Sequence, residues 1–264
     1  MTKKGKYLMP AALHLKKNGR LVGSWLTIAN AAVVEIMAAC GFDWMVVDME
    51  HSPIGIAQAE EMIRIVHLYG LPVLVRVGEN SPNLIKRVLD CGASGVVVPM
   101  VNSSAEARKA VAAARYPVGG FRGVGLARAQ AYGKAFSEYH AWARANVSVV
   151  IQVEHIDAVN DLEQIVAVEG LSGVIIGPYD LSASMGHPGK FDHPDVREAF
   201  RRIAAVMKGS RIPFGFHVVD PDPGIASRKF AEGYSFLAFG VDFVYLGKSC
   251  EEKLAQLRSK VQAR

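Results

Sequence analysis

Cysteine is scarce. The chain of 264 residues holds three, Cys40, Cys91 and Cys250, far apart and with no Cys-x-x-Cys pair. An odd, dispersed set excludes a disulfide framework and a thiolate zinc site, and fits a reducing compartment. Long apolar runs are also missing: none approaches the ~20 residues that a bilayer-spanning helix needs. No Gly-x-Gly-x-x-Gly follows the first apolar run, which weakens a dinucleotide fold. No Pro- or Gly-rich linker divides the chain, so residues 1–264 read as one domain. The N-terminal stretch MTKKGKYLMPAALHLKKNGR is basic, yet its apolar part is short and lacks a small-residue cleavage pattern. It reads as no signal peptide, and the expected location is cytoplasmic. The formal charge is +5, but Lys and Arg are spread along the chain without aromatic interleaving. That argues against a nucleic-acid partner and for attraction of small anionic substrates.

What the chain does have is alternation. Half its residues are hydrophobic and 21% are charged, the balance of a globular protein. Short apolar runs stand near 21–26, 44–48, 73–77, 95–99, 149–154, 173–177, 213–217 and 235–239, with helical patterns between them, including Pro53 to Tyr69, Pro82 to Cys91, Ser104 to Arg115 and Pro194 to Lys208. Four helical patterns end in Gly with Asp or Ser two residues on: Gly41 and Asp43, Gly92 and Ser94, Gly170 and Ser172, Gly233 and Ser235. Glycine just past a helix accepts the left-handed conformation that closes it. Eight such units in about 250 residues predict an α/β fold of the (β/α)8 TIM barrel type, with a doubly wound open sheet as the alternative.

In such sheets ligands gather at the carboxyl ends of the strands. The stretch Ser148 to Ser184 contains two apolar runs, and each delivers an acid at or just past its end, Glu154 and Asp180. Two acids one βα unit apart suit a divalent cation with hard oxygen ligands. Capping of the following helices is an equal alternative at this point.

Further polar groups stand at other strand ends. Asp48, Glu50 and His51 crowd the end of the second run. Ser52 suits a helix cap and Pro53 a first helical position, which leaves the two acids and His51 free for proton exchange. Arg76 ends the third run, where an unpaired burial would be costly, so it is expected in a polar mouth that binds an oxyanion or carboxylate. Asp90 closes a helix and reads as structural by position. Trp25 reads as core, with a pocket wall as the alternative. His217 ends the seventh run. Lys248 follows the eighth and opens a helix reaching Gln262; no apolar run holds a central Lys, which disfavours a Schiff-base aldolase. The long connection 100–148 carries a glycine-rich loop, 116–125, with Arg122. Its glycines and Arg122 suit a lid or a substrate-facing wall, with a plain surface excursion as the alternative.

Together these motifs resemble the HpcH/HpaI aldolase family: GFDWMVVDMEHSP from Gly41, Val75-Arg76, Asp90-Cys91-Gly92, Pro99-Met100, Arg115-Tyr116-Pro117, Arg122 to Gly125, Gln152-Val153-Glu154, and Gly177 to Ser182. The resemblance spans Gly23 to Val244. It implies a (β/α)8 barrel whose C-terminal helix is exchanged between subunits of a homohexamer, a trimer of dimers. It implies a class II lyase that reversibly cleaves a 4-hydroxy-2-oxo acid to pyruvate and an aldehyde, with Mg, Mn or Co as divalent cofactor. By position, Glu154 and Asp180 match the metal ligands, Arg76 the group steadying the enolate oxygen, and His51 the base, acting through water. Asp90 matches the acid paired with that His from across the site. Trp25, Gln152, Tyr179 and Asp180 match substrate contacts, the backbone N–H groups near Tyr179 and Asp180 serving the pyruvate carboxylate. Related enolate chemistry, such as oxaloacetate decarboxylation, and a non-catalytic oligomeric barrel are the competing readings. Two segments depart from the pattern. After Gly125 the chain reads LARAQA without the expected serine, and strand seven ends in His217 rather than an aliphatic residue.

Overall fold

Every residue of the second to sixth apolar runs is buried. Strands of that kind need cover on both faces, as a parallel sheet wrapped by helices provides. The computed structural model describes residues 9–262, and in it eight parallel strands close into a barrel in chain order. They are β1 (Leu21–Leu26), β2 (Trp44–Asp48), β3 (Val73–Arg76), β4 (Gly95–Val98), β5 (Ser148–Val153), β6 (Gly173–Ile176), β7 (Phe214–Val218) and β8 (Phe236–Val241). Closure excludes the open-sheet alternative.

The four Gly-x-Asp/Ser turns do what their residues dictate. Gly41, Gly92, Gly170 and Gly233 all take positive φ, at 89, 98, 86 and 103°. The polar residue two positions on then ties adjacent strands together. Asp43 accepts from Val22 N–H at 2.8 Å, Ser94 from Val73 N–H at 3.0 Å, and Ser172 from Val149 N–H at 3.0 Å. Ser235 instead donates its hydroxyl to Phe214 O at 3.2 Å.

Side chains alternate along a strand, so every second residue enters the barrel. Trp44, Val46, Leu74, Val97, Val150, Ile175 and Phe236 fill the interior, and Leu13 packs against them. The rings of Trp44 and Phe236 meet edge to face at 5.9 Å. Gly215 permits this, because a Cβ there would lie 2.2 Å from the Phe236 ring. Two residues further along their strands, the inward positions become Trp25, Asp48, Arg76, Gln152, Gly177 and His217. That polar layer is the floor of the barrel mouth.

The seam between β8 and β1 shifts register between Gly23 and Trp25. Buried Asp242 closes it, accepting from Thr27 N–H at 2.7 Å and Ile28 N–H at 2.8 Å and from the Thr27 hydroxyl. Asp242 also opens the last helix, Asp242–Gln262. Lys248 therefore lies inside that helix and does not begin it; it pairs with Asp220. The helix after β2 is Ile56–Leu68, with Gly55 at its cap, and so starts later than Pro53. The long connection after β4 holds helices Ser104–Ala114 and Phe136–Asn146 with a 3-10 turn at Arg128–Gln130. Among the described residues no helix is long and apolar enough to cross a membrane.

Candidate active site

Glu154 follows β5 and is 3% exposed. Its Oε1 accepts from Met100 N–H at 2.7 Å, and its Oε2 accepts from the Gln152 amide. Met100 holds φ 50° to present that N–H, a left-handed conformation that a Met adopts only under local constraint. Gly177 leaves room beside it, since a Cβ there would sit 3.1 Å from Glu154 Cβ and 3.3 Å from Gln152 Nε2. Burial raises the Glu154 pKa and Asp180 adds to the rise, against the two hydrogen bonds and Arg76. Capping is not its role, because the next helix is capped by His155, whose Nδ1 accepts from Asp157 N–H at 3.2 Å. Asp180 is exposed in the first turn of helix Pro178–Ser184, where no side chain caps the helix. Tyr179 beside it is exposed as well.

Asp48 and Arg76 face each other across the β2–β3 register. The guanidinium makes a two-pronged contact, Nε to Oδ1 at 2.9 Å and Nη2 to Oδ2 at 2.6 Å. Its third nitrogen, Nη1, lies 3.1 Å from Glu50 Oε2, and its plane lies 4.3 Å over the Trp25 ring. Burial alone would push the Asp48 pKa up, but the bonds and charge of Arg76 outweigh it and hold the carboxyl below its usual range. Glu50 moves the other way. Burial leads, Arg76 opposes, Glu154 adds, and the carboxyl is pushed up to about 7.

The expectation that Asp48 and Glu50 are free because Ser52 caps a helix at Pro53 is corrected here. Asp48 accepts from the N–H groups of Glu50 and His51 at 3.0 and 3.3 Å, and the Ser52 hydroxyl bonds Asp48 O. A turn consumes these groups before the helix begins. His51 remains accessible, its side chain 66% exposed and Nε2 3.6 Å from Glu50 Oε2.

Trp25 is both core and floor: 2% exposed, packed on the inner cluster, and carrying Arg76 on its face. His217 lies beside it, ring centroids 5.2 Å apart. Burial, reinforced by Arg76, drives the His217 pKa down to about 3, so the imidazole is neutral. Its charge state follows from packing that a linear sequence does not display.

Asp90 meets Arg122, Oδ1 to Nη2 at 2.7 Å. Arg122 is fully buried, 4.5 Å over Tyr116 and 3.2 Å from the Tyr139 hydroxyl. The loop's arginine is thus an internal pin and no substrate-facing wall. Within the chain Asp90 is engaged by Arg122, and His51 stands 3.6 Å from Glu50.

The donor set fits a hard divalent cation. Asp48 and Glu50 pair with Arg76, while Glu154, which feels the charges of both Asp180 and Arg76, is a buried carboxylate whose ionised form needs a counter-charge. Glu154 and Asp180 would hold the ion, with further positions left to substrate and water. A separate group, His187, His193 and Asp195, brings three ligand atoms within 4.8 Å of one another. Its imidazoles stack at 3.5 Å and His193 Nδ1 accepts from Asp195 N–H, so it serves a turn before helix Pro194–Gly209.

Known proteins carry the same arrangement of elements. A hydroxypyruvate/pyruvate aldolase of Sagittula stellata is 41% identical over 229 residues, 86% of this chain and 89% of that protein. A 2-keto-3-deoxy-L-rhamnonate aldolase of Escherichia coli is 38% identical over 256 residues, covering 95% and 93%. The crystal structure of an HpcH/HpaI aldolase/citrate lyase family protein from Burkholderia cenocepacia superposes with a TM-score of 0.86 at 33% identity, over 91% of this chain and 95% of that one. Residues 21–248 match the HpcH/HpaI aldolase/citrate lyase family, and the chain belongs to it.

Proposed function

We propose that this protein is a metal-dependent class II aldolase that reversibly cleaves a 4-hydroxy-2-oxo acid to pyruvate and an aldehyde. The observation that carries the reading is buried Glu154, held by Met100 and Gln152, in one barrel mouth with Asp180 and Arg76. A divalent cation such as Mg, Mn or Co, held by Glu154 and Asp180, would supply the Lewis acid that polarises the 2-oxo group. Arg76, locked by Asp48, presents a fixed positive charge where the oxyanion develops, with no reorganisation at the moment of reaction. His51 stands at the rim, accessible to water, as the group that takes the 4-hydroxyl proton, with Asp90 of a neighbouring subunit as its partner. The N–H groups of Tyr179 and Asp180 open a helix and lack intrahelical acceptors, which suits the substrate carboxylate. Gln152 orients Glu154, and Trp25 forms the floor.

The test is an aldol screen of pyruvate against a panel of aldehydes, with Mn²⁺ or Mg²⁺ and after chelation. Metal-dependent product formation supports the reading, and no turnover with any aldehyde defeats it. Replacing His51 by Ala distinguishes decarboxylation of oxaloacetate, which needs Arg76 and the acids but no base. Selective loss of aldol cleavage is expected, whereas equal loss of both activities removes His51 from the proposed role. Calorimetry that detects no Mn²⁺ or Mg²⁺ binding, with or without pyruvate, would favour a non-catalytic barrel.

The same reading extends to a homohexamer with exchanged C-terminal helices. Helix Asp242–Gln262 buries only Asp242 and exposes Leu246, Leu254, Leu257 and Val261. Helix Pro223–Ala231 buries none of its residues, and a cavity of about 470 Å³ lies against it, lined in part by Val22, Ala226, Phe230 and Phe239. Light scattering is expected to give a hexamer for the full chain and smaller species after truncation at Gly247.

A further inference from the structure

We infer that His217 sets the aldehyde specificity of this site: its Nε2, together with Trp25 Nε1, hydrogen-bonds a hydroxyl on the aldehyde half of the substrate, so that 2-hydroxyaldehydes are preferred to alkyl aldehydes. The inference rests on the aldolase reading and adds the chemistry of the second substrate.

Gly215 faces the barrel interior, where its missing Cβ admits Phe236, so His217 two residues on faces the same way, one layer higher. Its ring lies 5.2 Å from that of Trp25, and Trp25 carries Arg76 on its face. The imidazole therefore shares the polar floor with the groups assigned to the enolate. The charged and amide groups of that floor have partners: Asp48 and Arg76 each other, Gln152 and Glu154 each other. His217 Nε2 and Trp25 Nε1 do not. Both are shielded from solvent, and among the described residues neither has a hydrogen-bond partner.

Buried nitrogens without partners are uncommon and unfavourable. Here an indole donor and an imidazole nitrogen stand on adjacent rings. A hydroxyl is donor and acceptor at once, so its chemistry matches both nitrogens. The pyruvate half already has Arg76, the helix N–H groups and the cation that Glu154 and Asp180 would hold for its oxygens, which leaves hydroxyls of the other half as the matching chemistry. An apolar wall discriminates weakly between a hydroxyl and a methyl group, whereas a site that hydrogen-bonds the hydroxyl rejects its analogue strongly.

The experiment compares kcat/KM for glycolaldehyde and propanal, each with pyruvate and Mn²⁺, in the wild type, His217→Leu and His217→Gln. The two aldehydes differ by hydroxyl against methyl, and taking their ratio within one preparation cancels differences in folded or metal-loaded fraction. The ratio is expected to fall at least about tenfold in His217→Leu, the order of one neutral hydrogen bond. In His217→Gln, which keeps a donor and acceptor in reach, it should stay within about threefold of wild type. A change below about twofold in His217→Leu overturns the inference, as does an equal fall in both variants. If His217→Leu is not recovered folded, His217→Phe takes its place in the same comparison. Deuterium exchange into the pyruvate methyl group, measured on wild type without aldehyde, tests the aldolase reading separately. Absent exchange defeats that reading, while exchange with an unchanged ratio defeats only the role of His217.

Discussion

Two layers of the barrel interior lie two residues apart on the same strands and do opposite work. On β3 Leu74 belongs to the lower layer and Arg76 to the upper; on β5 the pair is Val150 and Gln152. The lower layer is aliphatic and aromatic and gains from exclusion of water. The upper layer buries an Arg, an Asp and an amide, with the Glu154 carboxylate just past it, and each of these needs a partner to be tolerated. One strand thus supplies stability at one position and chemistry at the next inward one, and substitutions should separate the two.

The largest effect is expected at Glu154. Glu154→Gln should lower kcat/KM by at least about 10³-fold, the several kcal/mol that a Lewis acid contributes. Its burial raises its pKa, so in the folded, metal-free protein the ionised carboxylate opposes folding and the neutral amide does not. The melting temperature of metal-free Glu154→Gln should therefore equal or exceed that of wild type; a fall of several degrees would make Glu154 a structural residue. Next, Leu74→Ala should cost about 2–5 kcal/mol of stability by denaturant titration, while kcat per folded molecule changes little. A large loss of kcat at unchanged stability would erase the distinction between the layers. Smaller again, Gln152→Leu removes the donor that orients Glu154 and should weaken Mn²⁺ binding by about 10–100-fold in calorimetry, with the fold retained.

The smallest effect concerns acid. Burial is the leading cause that drives His217 down to about 3 and His67 down to about 4, both from an ordinary 6.5. Both folded-state values are depressed, so each group contributes stability that is present above about pH 6.5 and lost as pH falls toward 4 and 3. Urea midpoints followed from pH 7 to pH 4 should fall less steeply in His217→Leu and in His67→Leu than in wild type. An unchanged slope in both would show that other groups set the acid limb.

Much of the fold was legible because its cues are local. Gly41, Gly92, Gly170 and Gly233 announce helix ends, and the Asp or Ser two residues later announces the tie to the neighbouring strand. Strand limits read from apolar runs came close, as 213–217 against Phe214–Val218 and 235–239 against Phe236–Val241. The site was legible as a set of residue types at strand ends, and less so as a network. Ser52 looks like a helix cap in isolation, but its hydroxyl bonds Asp48 O, which moves the helix start to Ile56. That Arg76 is shared between Asp48 and Glu50 depends on β2–β3 register. Arg122 reads as a substrate residue in a glycine-rich loop until the packing of Tyr116, Tyr139 and Asp90 around it is seen. Each misreading concerns a side chain whose partner lies in another segment.

The Asp242 seam carries a consequence for how the barrel assembles. The tie from Val22 to Asp43 joins residues 21 apart, whereas those from Asp242 to Thr27 and Ile28 span 215 and 214. Closing the longer loop costs about 2 kcal/mol more chain entropy by logarithmic scaling. Neighbouring strands can therefore pair along the chain before the last pairing forms, and the three hydrogen bonds that Asp242 accepts from Thr27 and Ile28 offset part of that cost once the ends meet. Trp25, which carries Arg76 and neighbours His217, sits on this joint. The substrate floor is accordingly completed only when the two ends of the barrel meet, at a carboxylate that lies outside the floor itself.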